Sequence, residues 1–245
     1  MRRQVRFIGA VALVGIGAVT VGACSLVAGT TFTDDAAVSQ KITSVRVDTR
    51  DGAVTVHGGK GGDTVSVHRS VTYRGDRPQG PSHRVEGGTL VLGGCGDECS
   101  VSYTVDLPGT VPVTGETTNG ALKLSSVGAV KVSTSSGSID LDQVSGAVDV
   151  RTTNGAVTGK GLAGSRTAVE TSNGRIDLTT TTPQDVRAKT SNGAIAVTVP
   201  DAHYRVSADT DNGAKKIGVT QDPAGRYRLD LTTSNGEITA EKAAG

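Results

Sequence analysis

The stretch TSNGAIAVTV occupies residues 190–199, and the chain writes close variants of it six more times. They are TTNGALKL from Thr117, TSSGSIDL from Thr134, TTNGAVTG from Thr152, TSNGRIDL from Thr171, TDNGAKKI from Thr210 and TSNGEITA from Thr233. Taking the glycine of each phrase as reference (Gly120, Gly137, Gly155, Gly174, Gly193, Gly213, Gly236), the spacings are 17, 18, 19, 19, 20 and 23 residues. A period near twenty is the mark of a repeat architecture. Apolar residues alternate on both sides of the glycine: Val130 and Val132, Val148 and Val150, or Leu229 and Leu231 before it, Leu122 and Leu124, Ile139 and Leu141, or Ile176 and Leu178 after it. Period-two alternation marks strands with one buried face, so each unit reads strand, Asn-Gly turn, strand, second turn.

Asn-Gly between alternating strands is also the strongest short hairpin signal, which makes a meander of hairpins the competing architecture. Two columns of residues decide against it. The third residue before the glycine is threonine in all seven units, and the residue before the glycine is asparagine in six: Asn119, Asn154, Asn173, Asn192, Asn212 and Asn235. A hairpin has no use for an inward threonine at one fixed offset. Stacked coils place like residues over one another, where side chains bond along the axis as in asparagine ladders. Four residues before the glycine, Arg151, Glu170, Lys189 and Asp209 alternate in sign, as an outward column of neighbours on a parallel, in-register stack should. The sequence therefore predicts an all-β parallel β-helix, a β-solenoid of about 18–20 residues per coil.

The pattern reaches back to VRVDTRDGAVTV, 45–56, which matches the unit offset by offset and is expected to be the first coil. Between it and Val113 lie strand-like runs interrupted by a polar insertion at 74–88, expected to be a loop. Residues 24–40 are expected to be a tether, and 41–245 the solenoid. Its open ends need covering as exposed sheet edges; the AEKAAG tail is the candidate for the far end and the segment before Val45 for the near one. The unit at Thr210 puts Lys215 where an inward aliphatic belongs, by a bulge that returns Ile217 to the core or by a lysine that snorkels outward.

Composition restricts function. The chain of 245 residues has 34 glycines, no tryptophan, two phenylalanines and a net charge of +1. Acids and bases are interspersed and aromatic platforms are scarce, which argues against a nucleic-acid partner. MRRQVR followed by an apolar run from Phe7 to about Ala23 is a secretory signal layout. The closing VGAC resembles a lipobox, so residues 1–23 read as a signal peptide and Cys24 as the lipidated anchor. A retained transmembrane signal anchor and free secretion are the alternatives. All three export the rest of the chain. Cys95 and Cys99 can then pair as a disulfide or remain idle thiols; without a second pair or a nearby histidine they cannot complete a zinc site.

No catalytic motif is present: there is no nucleophile elbow, zincin helix or Walker loop. His57, His68, His83 and His203 share no offset in the repeat. Asp140 and Asp177 fall in one outward column, the minimum that a polysaccharide hydrolase or lyase would need, but Thr158 stands between them. GGKGGDTVS, 58–66, fits a calcium-binding nonapeptide once, which is one copy too few. LPGTV at 107 lacks the glycine and tail of a sorting signal. Catalytic, metal and cofactor sites are therefore expected to be none.

The DGAVTV coil, the extended VSYTVDLPGTVPV and the serial TSNGxI phrases together resemble the bacterial "putative adhesin" domains of unknown function over roughly Val45 to Ala240. The resemblance implies a right-handed solenoid on an exported protein, some members being linked to envelope stress, and it brings no catalytic residues. The expected role is a non-enzymatic, adhesin-like lipoprotein on the outer face of the cytoplasmic membrane, monomeric, presenting a rigid face to a cell-wall or protein ligand. A spacer without a discrete ligand, an envelope-stress accessory protein and a carbohydrate-binding or carbohydrate-active β-helix, drawing on Tyr73 and Tyr103, are the alternatives. Specificity is expected in the loops of residues 74–100.

Overall fold

The computed structural model describes residues 29–60 and 64–244. The signal segment, Cys24 and the first part of the expected tether lie outside the described residues. Among the described residues there is no helix; the strands form an eleven-stranded and a ten-stranded sheet around one apolar core. Runs that precede each repeat glycine build the ten-stranded sheet, and runs that follow it build the other.

Pairing between consecutive coils is parallel and in register. Val130 lies between Val113 and Val148, Thr134 between Thr117 and Thr152, and Ile139 between Leu122 and Val157. A meander would have made these pairs antiparallel, so the solenoid stands. Its core is thin and aliphatic: Val45, Val113, Val130, Val148, Val186 and Leu229 form part of one buried row, each at most 1% exposed.

The two invariant columns are parts of one device. A Cβ built on Gly174 would sit 2.0 Å from the carbonyl oxygen of Gly155, and the same clash, at 1.9 to 2.1 Å, meets a Cβ at Gly120, Gly137, Gly155, Gly193, Gly213 and Gly236. Each glycine thus makes room for the carbonyl of its neighbour in the stack. The threonine of the next coil then donates its hydroxyl to that carbonyl: Thr152 to Gly137 at 3.1 Å, Thr171 to Gly155 at 3.1 Å, Thr190 to Gly174 at 3.1 Å and Thr233 to Gly193 at 3.0 Å. These hydroxyls are buried, and a buried carbonyl left unpaired is costly. The threonines therefore do not bond to one another; from Thr134 onward each closes a glycine corner, whereas Thr117 donates to the Arg50 carbonyl at 3.4 Å. At the near end, where no such corner precedes it, the Thr49 hydroxyl has no partner among the described residues.

Stacking order departs from chain order at both ends. The final coil, Tyr227–Asn235 and Ile238–Lys242, inserts between the coil of 185–199 and the coil of 204–217, so the Thr210 unit is the open end. The long spacing before Gly236 belongs to the return at 218–226, not to a bulge: Lys215, Lys216 and Ile217 pair straight against Ile238, Thr239 and Ala240. Lys215 stands in the inward column of a terminal strand and turns its ammonium across the open end, donating to the carbonyl of Ala208 at 3.0 Å beside the Asp209 carboxylate at 3.7 Å. An inward charge at an edge discourages further strand addition. The tail expected to cover this end lies one coil inside it, with Lys242 paired to Asp201 at 2.6 Å.

At the near end the coil of 45–56 stacks directly on that of 113–125, and the chain between them makes an excursion that caps the stack. Residues expected to be tether form the nine-residue strand Thr30–Val38, antiparallel to Val65–Tyr73. Within the expected 74–88 loop, His83–Glu86 is a strand paired with Thr89–Gly93, which leaves 74–82 as loop. The polar residues that disguised Thr30–Val38 are matched from across the cap: Arg69, 7% exposed, clasps Asp34 through Nε at 2.5 Å and Nη2 at 2.7 Å and donates from Nη1 to Ser82 at 3.0 Å. Arg69 holds the Asp34 carboxyl below its ordinary range, and burial pushes the His83 imidazole down. Tyr103, also buried there, donates to the Gly93 carbonyl at 2.8 Å.

Candidate binding groove on the ten-stranded sheet

Outward residues of the ten-stranded sheet form columns because the register is maintained coil after coil. Two residues before the glycine, Thr118, Ser135, Thr153, Ser172 and Ser191 are exposed and make a row of hydroxyls along the axis, one per coil at about 4.8 Å. Two residues further back runs the charged column: Asp48, Glu116, Ser133, Arg151, Glu170 and Lys189. Arg151 reaches Glu170 at 3.7 Å and Lys189 reaches it at 3.9 Å. Asp209, expected as the fourth member, is separated from Lys189 by Thr232 of the inserted coil and turns to Lys215 instead.

These columns floor a groove of about 800 Å³. Its wall is the turn at 94–97, closed by the Cys95–Cys99 disulfide, whose Cα atoms are 5.8 Å apart. Asp97 of that turn meets the Arg50 guanidinium, which fixes the wall against the floor. At the walled end Asp48 and Glu116 are register neighbours, and neither has a cation at ion-pair distance among the described residues. Like charges directly opposite are unfavourable. The groove therefore offers unneutralised carboxylates at one end, a mixed salt ladder further along and hydroxyls throughout. Its geometry suits an elongated polar ligand.

Beside the hydroxyl row runs the asparagine ladder. Nδ2 of Asn173 donates to Oδ1 of Asn154 at 3.0 Å, Asn192 to Asn173 at 3.0 Å, Asn235 to Asn192 at 2.9 Å and Asn212 to Asn235 at 3.0 Å. Asn119 is cut off from this run by Ser136 and donates to Asp51 at 2.9 Å. The ladder is an element of the corner.

The remaining candidates separate. His57 meets Ser125 at 2.7 Å, His68 meets Asp35 at 2.7 Å and His203 meets Asp222 at 3.1 Å, each in a different place; the buried Nδ1 of His83 has no partner among the described residues. Asp140 and Asp177 both face Thr158 and are held two coils apart. Among the described residues no group of three His, Cys, Asp or Glu could hold a metal, and no helix is long and apolar enough to cross a membrane. Tyr103 and Tyr204 are core residues, 2% and 0% exposed, and Tyr73 packs edge-on against Phe32 with ring centroids 5.9 Å apart. A sugar platform built on Tyr73 and Tyr103 is thereby ruled out for Tyr103. Sequence reasoning missed the groove because its wall and floor meet only in three dimensions; the period-twenty hydroxyl column was the signal that could have revealed it.

The model of the Toastrack family, DUF4097, matches residues 99–244. No curated protein sequence matches the chain. Among solved structures, a "putative adhesin" of Bacteroides fragilis is 14% identical, with 87% of this chain and 97% of that one covered and a TM-score of 0.50. One of Parabacteroides distasonis is 14% identical, with 88% and 98% covered and a TM-score of 0.49.

Proposed function

Taking as premise that the chain belongs to the Toastrack family, we propose that it is a non-enzymatic, exported lipoprotein, anchored through Cys24 on the outer face of the cytoplasmic membrane. In this reading it holds an extended polar polymer, of the class of a cell-wall glycan strand, along the groove of the ten-stranded sheet. The observation that carries the reading is the groove itself: about 800 Å³, floored by Thr118, Ser135, Thr153 and Ser172 and walled by a cross-linked turn. A polymer lying along the axis meets the same donor and acceptor at every coil, so weak polar contacts add along its length. Loops on a rigid scaffold commonly carry recognition, and here the wall, at the end nearest the N-terminal strand, is the loop in question. The adhesin naming of the B. fragilis protein agrees with a surface role.

The test has two arms. Cys24→Ser should move the protein from the membrane to the soluble exported fraction and abolish lipid labelling. Co-sedimentation with purified cell-wall glycan should retain the wild-type protein and lose the Arg50→Ala, Ser135→Val double variant, judged by circular dichroism to be folded. Equal sedimentation of both proteins, or none of either, rejects the groove and leaves a spacer.

A further inference from the structure

Every asparagine in this chain is followed by glycine: there are six, and all six are in the repeat corners. Asn-Gly is the dipeptide most prone to spontaneous deamidation, because glycine puts no side chain in the way of its own backbone nitrogen as that nitrogen attacks the asparagine Cγ. The reaction needs the nitrogen free and the side chain free to turn toward it. In five of the six corners the stack takes up the nitrogen, and at Asn173, Asn192 and Asn235 it also holds the side chain by two ladder bonds. The backbone N–H groups of Gly120, Gly155, Gly174, Gly193 and Gly236 are donated to Ser136, Asn173, Asn192, Asn235 and Asn212 of the adjacent coil at 2.9 to 3.0 Å. The asparagine side chains of these corners are engaged in the ladder or, for Asn119, with Asp51.

The sixth corner is at the open end. Gly213 faces no further coil, and among the described residues its N–H has no acceptor. Asn212 is exposed and makes one ladder bond, as donor to Asn235, while its Oδ1 receives none. We infer that Asn212–Gly213 is a selective deamidation site, and that stacking protects the other five Asn-Gly bonds for as long as the protein is folded. The Gly213 nitrogen forms a bond to Asn212 Cγ, the bond from Cγ to the side-chain nitrogen breaks, and ammonia leaves with the transferred protons. The resulting succinimide adds water at one of its two carbonyls to give aspartate or isoaspartate, with no oxidant or reductant involved. The new carboxylate joins Asp209 and Asp211 on the same strand and removes one of the three bonds that tie this strand's corner to the inserted coil, leaving Gly236 N–H on the Asn212 carbonyl and the Thr210 hydroxyl on the Gly236 carbonyl. Modification therefore loosens the terminal coil and leaves the interior of the stack unchanged.

The experiment is prolonged incubation of the full chain in mildly alkaline buffer, followed by proteolysis and mass-spectrometric mapping of all six sites, with an Asn212→Asp variant as chromatographic standard and a denaturant-unfolded sample in parallel. In the folded protein Asn212 should deamidate about tenfold faster than any other site, the factor that one to two additional net hydrogen bonds to be opened at each protected corner implies. In the unfolded sample the six rates should converge. Comparable rates at all six sites of the folded protein, a faster inner site, or no reaction at Asn212 while the unfolded chain reacts would each overturn the inference.

Discussion

Replacing Gly174 by alanine adds one methyl group in the middle of the stack and tests the glycine corner directly. The new Cβ would lie 2.0 Å from the Gly155 oxygen, 2.6 Å from its carbonyl carbon and 3.0 Å from the Ala156 nitrogen. Gly174 does not have a left-handed φ, so the backbone itself accepts alanine, and the loss of unfolded-state freedom should stabilise by about 0.4–1 kcal/mol. Steric exclusion opposes this. Relief requires moving one coil by roughly 1 Å against a neighbour held by the Gly155 N–H to Asn173 bond at 3.0 Å, the Gly174 N–H to Asn192 bond at 2.9 Å and the Thr171 hydroxyl on the Gly155 carbonyl at 3.1 Å. Overpacking costs about 1–3 kcal/mol, and weakening the threonine bond adds about 1 kcal/mol; less the unfolded-state gain, the net expectation is a destabilisation of about 2 kcal/mol. For a domain of this size that is a fall in melting temperature of about 4–8 °C, measured by circular dichroism and calorimetry. Gly94→Ala is the control, since a Cβ there meets no atom within 4 Å. A Gly174→Ala protein melting within about 2 °C of wild type would refute the claim that this column is held by close approach.

Two further outcomes follow from the same geometry. Thr171→Val keeps shape and burial but orphans the Gly155 carbonyl, and should lower stability by about 1–3 kcal/mol in urea unfolding while Thr153→Val, on the exposed row, changes it by less than about 0.5 kcal/mol. Acidification should open the near-end cap first. Both Asp34 and His83 have folded pKa values below their ordinary 3.8 and 6.5, so the stability each contributes is complete above those values and is lost as pH falls through the folded ones, His83 below 6.5 and Asp34 below 3.8. Hydrogen-exchange protection factors across Thr30–Val38, corrected for the intrinsic rate at each pH, should fall in that order of pH, and Asp34→Asn should remove the lower step.

The middle of the stack was legible because every coil repeats the same solution. Thr117, Thr134, Thr152, Thr171, Thr190 and Thr233 are all buried at one offset, and such a column has no alternative explanation in a hairpin meander. The ends were not legible, because an end is where the repeat has no neighbour to copy. Thr30–Val38 shows two aspartates and three threonines and reads as linker until Arg69, 35 residues from Asp34, is placed against it. Insertion of the last coil ahead of the Thr210 coil is invisible to local pattern, since both coils carry the same phrase; only Lys215, an inward charge that no interior coil could tolerate, marked its unit as terminal. The groove was half legible. Its hydroxyl row and charge column are periodic, whereas its wall comes from a turn on the excursion between the first and second coils, outside the repeat.

That division has a physical consequence for function. In the interior each corner is bound on both sides, through the glycine N–H, the threonine hydroxyl and the asparagine amide. Displacing one outward residue therefore requires displacing its neighbours, and the hydroxyl row behaves as a ruler with a fixed interval. A ligand gains from such a surface only if its own repeat is commensurate, because a mismatch accumulates with each coil while the entropy of ordering the ligand grows with its length. A non-repetitive peptide would match at one or two coils and nowhere else. On the proposed reading, the disulfide-bounded turn at 94–97, which Asp97 links to Arg50 at the near end, would set where along the ruler the first unit of a polymer is seated. Shifting that turn should change the register of a bound polymer, whereas shortening the hydroxyl row should change the length of polymer required for binding.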